Sequence, residues 1–166
     1  YEVLDTLKTD ASGRFTYKVN VEEGQPEFVY VFYNDKRIAS LLLEAGDKVS
    51  VSADTLGNYS VVGSEESARL ALVEQEYSAA QKRLQTIAEQ MNGDDADQTA
   101  LTQAMGKEYV DYYRQCVKYI LENSRSLTVV PVLYQYLGTD LPVFGQSTDA
   151  IHFVNMADSL SLSYPQ

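Results

Sequence analysis

The chain is poor in the residues that most often carry chemistry. It has one cysteine, Cys116, one histidine, His152, and no tryptophan among its 166 residues. A solitary thiol excludes an intrachain disulfide, a CxxC redox pair and a thiolate zinc cage. It leaves the compartment open, because an envelope protein need not carry structural disulfides. No run of about 18 apolar residues occurs, so no segment reads as a membrane-spanning helix. Positive charge is scarce too: 13 Lys and Arg stand against 24 Asp and Glu, a formal net charge of -11. That balance opposes nucleic-acid backbones and anionic lipid surfaces unless the chain holds a local basic patch. Along the sequence there is none, since Lys36-Arg37 and Lys82-Arg83 are isolated pairs. Neither an initiating Met nor a signal peptide opens the chain, so Tyr1 is expected not to be the natural start. A nucleophile elbow, a phosphate loop, a dinucleotide fingerprint and an H-E-x-x-H zinc motif are all missing.

What is present is the pattern of a folded domain. Hydrophobic residues make up 45% of the chain, enough for one domain or two small subdomains sharing a core. The organising stretch runs from Ser64 to Asn123. Leu70, Val73, Tyr77, Ala80, Leu84, Ile87 and Met91 recur at three- and four-residue spacing, and Leu101, Met105, Tyr109, Tyr112, Cys116 and Tyr119 repeat the pattern. Asn92-Gly93-Asp94-Asp95-Ala96-Asp97 interrupts it with turn and N-cap residues, which predicts two long helices folded back as an antiparallel hairpin. Ser64 is the expected N-cap, with Glu65 and Glu66 at the positive end of the helix dipole. Gly106 costs the second helix about 1 kcal/mol relative to Ala, a cost expected to reflect close approach of the first helix.

Before Ser64 the period is two. Val3–Leu7, Phe15–Val21, Phe28–Tyr33, Arg37–Leu43, Val49–Val51 and Tyr59–Val62 read as strands, with turns at residues 9–13, at Asn34-Asp35, at 44–47 and at 56–58. Short, locally connected strands predict an antiparallel meander, one layer of a small sandwich. After Asn123, a third helix is expected over about 128–137, with Pro131 in its first turn and Gly138 as its stop. Leu141-Pro142-Val143-Phe144 is an apolar loop expected to pack on the hairpin. A last helix over 148–162 presents Ile151, Val154, Ala157 and Leu160 on one side. The expected fold class is α+β, with residues 1–63 as the β part and 64–166 as the helical part.

Candidate sites reduce to ordinary roles. His152 has only Asp149 at helical spacing and no evident nucleophile, which fits a surface or half-buried histidine. Cys116 lies on an apolar stripe, as a buried and inert thiol would. Asp94, Asp95 and Asp97 lack the alternating oxygens and distal Glu of a calcium loop and read as a solvated hairpin tip. Tyr109, Tyr112, Tyr113, Tyr119, Tyr134 and Tyr136 invite a sugar- or peptide-stacking role, but most fall at core spacing, with hydroxyls at the rim. No catalytic, cofactor-binding or metal-ligating residue is assigned.

Asp5–Phe15, Leu42–Val51 and Val62-Gly63-Ser64 together resemble the β portion of a particular N-terminal domain of unknown function. That domain precedes the thioredoxin-like module of envelope-located thiol-disulfide oxidoreductases of the AhpC/TSA-related class. Ile120–Ser126 resembles its I-x-E-N-P-x-S junction, with Ser124 in place of the usual proline, and Ala157–Leu160 with Tyr164-Pro165 resembles the approach to the linker. The resemblance implies an exported, lipid-anchored polypeptide in the periplasm or cell envelope, with a CxxC-bearing thioredoxin-like module after residue 166. It implies that this part is a non-catalytic accessory domain that positions a protein or peptide substrate, or mediates association such as a homodimer. The only membrane link would be an N-terminal lipid anchor outside this sequence, and the nucleic-acid class stays excluded. A different class of reading is a stand-alone domain that binds a glycan or a peptide, motivated by 13 tyrosines.

Overall fold

In the computed structural model, residues 1–165 are described, and the fold is α+β, with two small antiparallel sheets followed by long helices. The strands are β1 (Glu27–Tyr33), β2 (Lys36–Leu43), β3 (Ser50–Ala53) and β4 (Tyr59–Val62). β1 pairs with β2 and β3 with β4, as two separate hairpins with no ladder between β2 and β3. Asn34 and Asp35 join the first pair at φ 47° and 60°, the left-handed backbone a two-residue hairpin turn demands.

The two strands expected upstream do not form. Val3–Leu7 and Phe15–Val21 are without regular structure, and backbone bonds in this region close turns, Asp10 N–H to Arg14 C=O at 2.9 Å and Gln25 N–H to Glu22 C=O at 3.1 Å. Alternation fixes which side chains share a face, but a strand exists only when another strand accepts its backbone bonds. Neither segment finds one. Val3, Leu4, Phe15 and Tyr17 stay exposed, Val19 and Val21 are half-buried, and Tyr1, though 92% exposed, lies edge-on to the Tyr30 ring at 5.0 Å.

The helical hairpin forms as its spacing predicts: α1 (Glu65–Met91) and α2 (Gln98–Glu122) flank the polar turn at 92–97. Ser64 caps α1 by accepting the Ser67 N–H at 3.1 Å, and Asp97 caps α2 by accepting the Ala100 N–H at 3.0 Å. At about 1.5 Å per residue each arm is about 40 Å long, so no single partner covers it. α1 therefore serves two cores. Its first turns, with Leu70 and Ala71 buried, pack on β2 and β4, while Val73, Ala80 and Leu84 join Tyr112, Cys116 and Ile120 of α2. Ser67 welds α1 to the sheet: its hydroxyl accepts the Leu42 N–H at 3.0 Å and donates to the Leu42 C=O at 2.8 Å, satisfying backbone groups on the free edge of β2.

Close backbone approach occurs at Gly63 and not at Gly106. A Cβ on Gly63, at φ 102°, would sit 2.0 Å from the Lys48 carbonyl oxygen, whereas one on Gly106 meets nothing within 4 Å. Gly63 is where the chain leaves β4 and turns into α1, so the side-chain-free residue sits at the sheet–helix joint.

The C-terminal segment closes the second core. α3 is a single turn, Val129–Leu133, shorter than the expected 128–137, because Gln135 turns inward and residues 135–143 double back. Val143 N–H donates to Gln135 C=O at 2.9 Å and Leu137 N–H to Leu141 C=O at 2.8 Å. Val143 and Phe144 are buried against the hairpin as expected, while Leu141 stays exposed. A 3-10 turn at Ser147–Asp149 leads into α4 (Ala150–Ser163). The face of α4 is only partly the expected one: Leu160 faces the core as expected, but Ile151, Val154 and Ala157 are exposed, and Phe153 and Met156 take their place. Both stripes have helical spacing, and only the position of the hairpin selects between them.

Candidate functional site

The tyrosines of α2 act as clips. Tyr109 donates to the Val143 C=O at 3.0 Å, Tyr112 to Gln135 Oε1 at 2.5 Å, Tyr113 to Asp149 Oδ1 at 2.6 Å, and Tyr119 pairs with Thr128 Oγ1 at 2.6 Å. Their rings fill the core while their hydroxyls fasten the 126–149 segment to the hairpin. The bond to the Asp149 carboxylate, followed by burial, pushes the Tyr113 phenol up to about 12. Burial likewise raises Tyr112 and Tyr119. Tyr134 and Tyr136 depart from the core role expected of this set: both are exposed, Tyr134 resting edge-on against Phe153 at 5.4 Å.

Cys116 is buried beside Tyr112 and Gln135, with Sγ 3.8 Å from Gln135 Oε1, and burial pushes its thiol up to about 11. His152 is half-buried and packs edge-on against Phe144 at 5.5 Å. Its neighbour in sequence, Asp149, is turned to Tyr113 and to the Gln146 N–H at 2.9 Å. Thiol and imidazole thus sit in separate settings, each with its own partners. Asp94 and Asp95 are exposed at the hairpin tip, Asp97 is a helix cap, and no group of three metal-ligating side chains occurs among the described residues.

Two clefts remain. One, of about 480 Å³, lies among the turn at Glu22, Glu23 and Gly24, the Glu44-Ala45 turn, Arg125 and Tyr164. The other, of about 430 Å³, is walled by β2, the β3–β4 turn and α1. Its residues include Arg37, Asn58, Tyr59, Glu74, Tyr77 and Lys82. Glu74 organises this wall. Its Oε2 accepts the Tyr59 hydroxyl at 2.7 Å, and its Oε1 lies 3.5 Å from Arg37 Nη2, a loose pair. Arg37 also stands over the Tyr30 ring, 5.2 Å from its centroid. Burial and the Glu74 carboxylate raise the Tyr59 phenol. Ser40, fully buried, lies beside that phenol and offsets part of the rise.

This second cleft escaped sequence reasoning. Arg37, Tyr59, Glu74 and Lys82 lie on three elements and share no motif; the one signal was the pair of dibasic doublets, which looked isolated. The fold brings Arg37 and Lys82, one from each doublet, to one cleft, while Arg83 turns away to Glu108 at 2.9 Å. Lys36 is instead spent on the β3–β4 turn, its ammonium donating to the Thr55 and Leu56 carbonyls at 3.1 and 2.7 Å.

Comparison with protein-family models, curated proteins and solved structures finds no match to the chain.

Proposed function

We propose that this chain is a non-catalytic N-terminal accessory domain of an exported thioredoxin-like thiol-disulfide oxidoreductase, placing a substrate near the redox module or mediating association. The reading rests on the sequence resemblance and is supported by the state of Cys116. Thiol-disulfide exchange needs an accessible thiolate. A buried thiol held neutral to about 11 supplies neither access nor charge. Redox chemistry then belongs to the CxxC centre of a module in the same polypeptide, in the periplasm or cell envelope. The test is an insulin-type disulfide reductase assay on this domain and on the full polypeptide. Turnover is expected from the full polypeptide alone, and turnover by the domain itself overturns the reading.

The cleft beside Glu74 favours a second reading, a stand-alone ligand-binding domain for a glycan or a peptide. Its volume of about 430 Å³ falls within the range of about 300–1,000 Å³ typical of small-molecule sites. Retention on a broad glycan or peptide panel is expected under this reading, and uniform failure to bind removes it.

A further inference from the structure

We infer that the cleft between β2, the β3–β4 turn and α1 takes a small carboxylate-bearing sugar, its carboxylate held by Arg37 and Lys82 and its hydroxyls by the amide and hydroxyl side chains of the lining. This deepens the ligand-binding reading and rests on it; the redox reading is independent of it.

Charge comes first. In a chain of net charge -11, the lining carries two cations, Arg37 and Lys82, against one carboxylate, Glu74. Glu74 is already engaged, with Tyr59 on one oxygen and Arg37 loosely on the other. A guanidinium has five N–H donors, so Arg37, whose side chain is 44% exposed, keeps spare capacity toward solvent. Lys82 makes no ion pair among the described residues. Its neighbour Arg83 is spent on Glu108, so the Lys82 ammonium is the free cation of that doublet.

The rest of the lining suits a ring dense in hydroxyls. Gln75 and Ser78 offer short amide and hydroxyl groups, Asn58 and Gln81 add amide oxygens while their nitrogens donate to Asp54 Oδ2 and the Tyr77 hydroxyl, and Tyr59 and Tyr77, whose hydroxyls donate to Glu74 and the Tyr136 carbonyl, offer apolar ring surface. The volume admits a molecule of one or two sugar rings and not a folded partner. A sugar acid meets both conditions at once. A neutral sugar leaves the two cations unused, and a simple anion leaves the amides and rings unused.

The experiment is a heteronuclear NMR titration of the chain with glucuronate, glucose and inorganic phosphate in parallel. Glucuronate is expected to shift the amide signals of Gly57, Asn58, Tyr59 and Ser78, and to bind at least about tenfold more tightly than glucose or phosphate. Raising the salt concentration should weaken it by screening the charged contacts. Lys82→Gln should weaken glucuronate by about tenfold with the spectrum otherwise intact, since the exchange sits on an exposed helix face where both residues are good helix formers. Arg37→Gln should weaken it as well and provides the second variant. Absence of shifts with glucuronate, or unchanged affinity in Lys82→Gln, overturns the inference. Glucose binding as tightly as glucuronate also overturns it while leaving a neutral-glycan reading standing. Phosphate binding as tightly overturns the sugar assignment. None of these outcomes touches the reductase assay, so the two readings fail separately.

Discussion

Residues 1–26 and residues 65–122 both carry regular hydrophobic spacing, yet one region has no regular structure and the other forms two helices of 27 and 25 residues. The difference lies in where the backbone bonds go. A helix satisfies its N–H and C=O groups within four residues, so a correct period together with a cap at Ser64 or Asp97 is nearly sufficient. A strand satisfies them only on another strand, and β1 and β2 achieve this across a two-residue turn. The segments around Val3–Leu7 and Phe15–Val21 have an equally good turn at Asp10–Gly13, but no ladder follows it.

The largest test of this contrast is at the joint between the regions. Gly63→Ala forces a Cβ onto the Lys48 carbonyl at an unfavourable positive φ, and should cost about 4 kcal/mol or more, read as a collapse of the urea midpoint. Ile120→Ala, at a fully buried helical position, should cost about 2–5 kcal/mol by the same measurement. Ser67→Ala removes both side-chain bonds to Leu42 and should cost about 1–3 kcal/mol, with faster hydrogen exchange at the Leu42 amide.

Titration offers a check confined to the packed region. Burial raises the Cys116 thiol from 9.0 to about 11 in the folded state, so the neutral thiol is the form that packing favours. Between those values the folded chain holds a proton that the unfolded chain has lost. The stability this confers is complete below about pH 9 and declines as pH rises through about 11, so the denaturation midpoint should fall over that window. Tyr113 extends the decline toward about 12. Cys116→Ala should be less stable at neutral pH and show a flatter slope between 9 and 11.

The smallest effects sharpen the comparison from the other side. Gly106→Ala should stabilise α2 by about 1 kcal/mol, because the added methyl meets open space. Leu4→Ala, at a residue 56% exposed, should change stability by less than about 0.5 kcal/mol. A cost above 2 kcal/mol at Leu4 would show that the N-terminal segment packs more firmly than its exposure implies.

The same division explains what could be read in advance. The hairpin, its caps and the Asn34-Asp35 turn were legible because each depends on neighbours in sequence. Apart from Leu160, the inward face of α4 was not, since Ile151/Val154 and Phe153/Met156 are equally apolar and the choice belongs to the hairpin they dock on. Nor was the Glu74 cleft, whose walls come from β2, the β3–β4 turn and α1. Buried Cys116 was legible from its stripe, whereas the exposure of Tyr134 and Tyr136 follows from the doubling back of residues 135–143.

The sequence alone determined the α+β class, the two long helices and the turn between them, because those features rest on short-range spacing and capping. It also ruled out an internal disulfide. Only the tertiary structure decided which apolar stripes are buried, that Gly63 rather than Gly106 bears a close approach, and that Arg37 and Lys82 share a cleft. Each of those depends on groups far apart in the chain, and proximity in space is set by packing and by long-range backbone pairing, which local pattern does not encode.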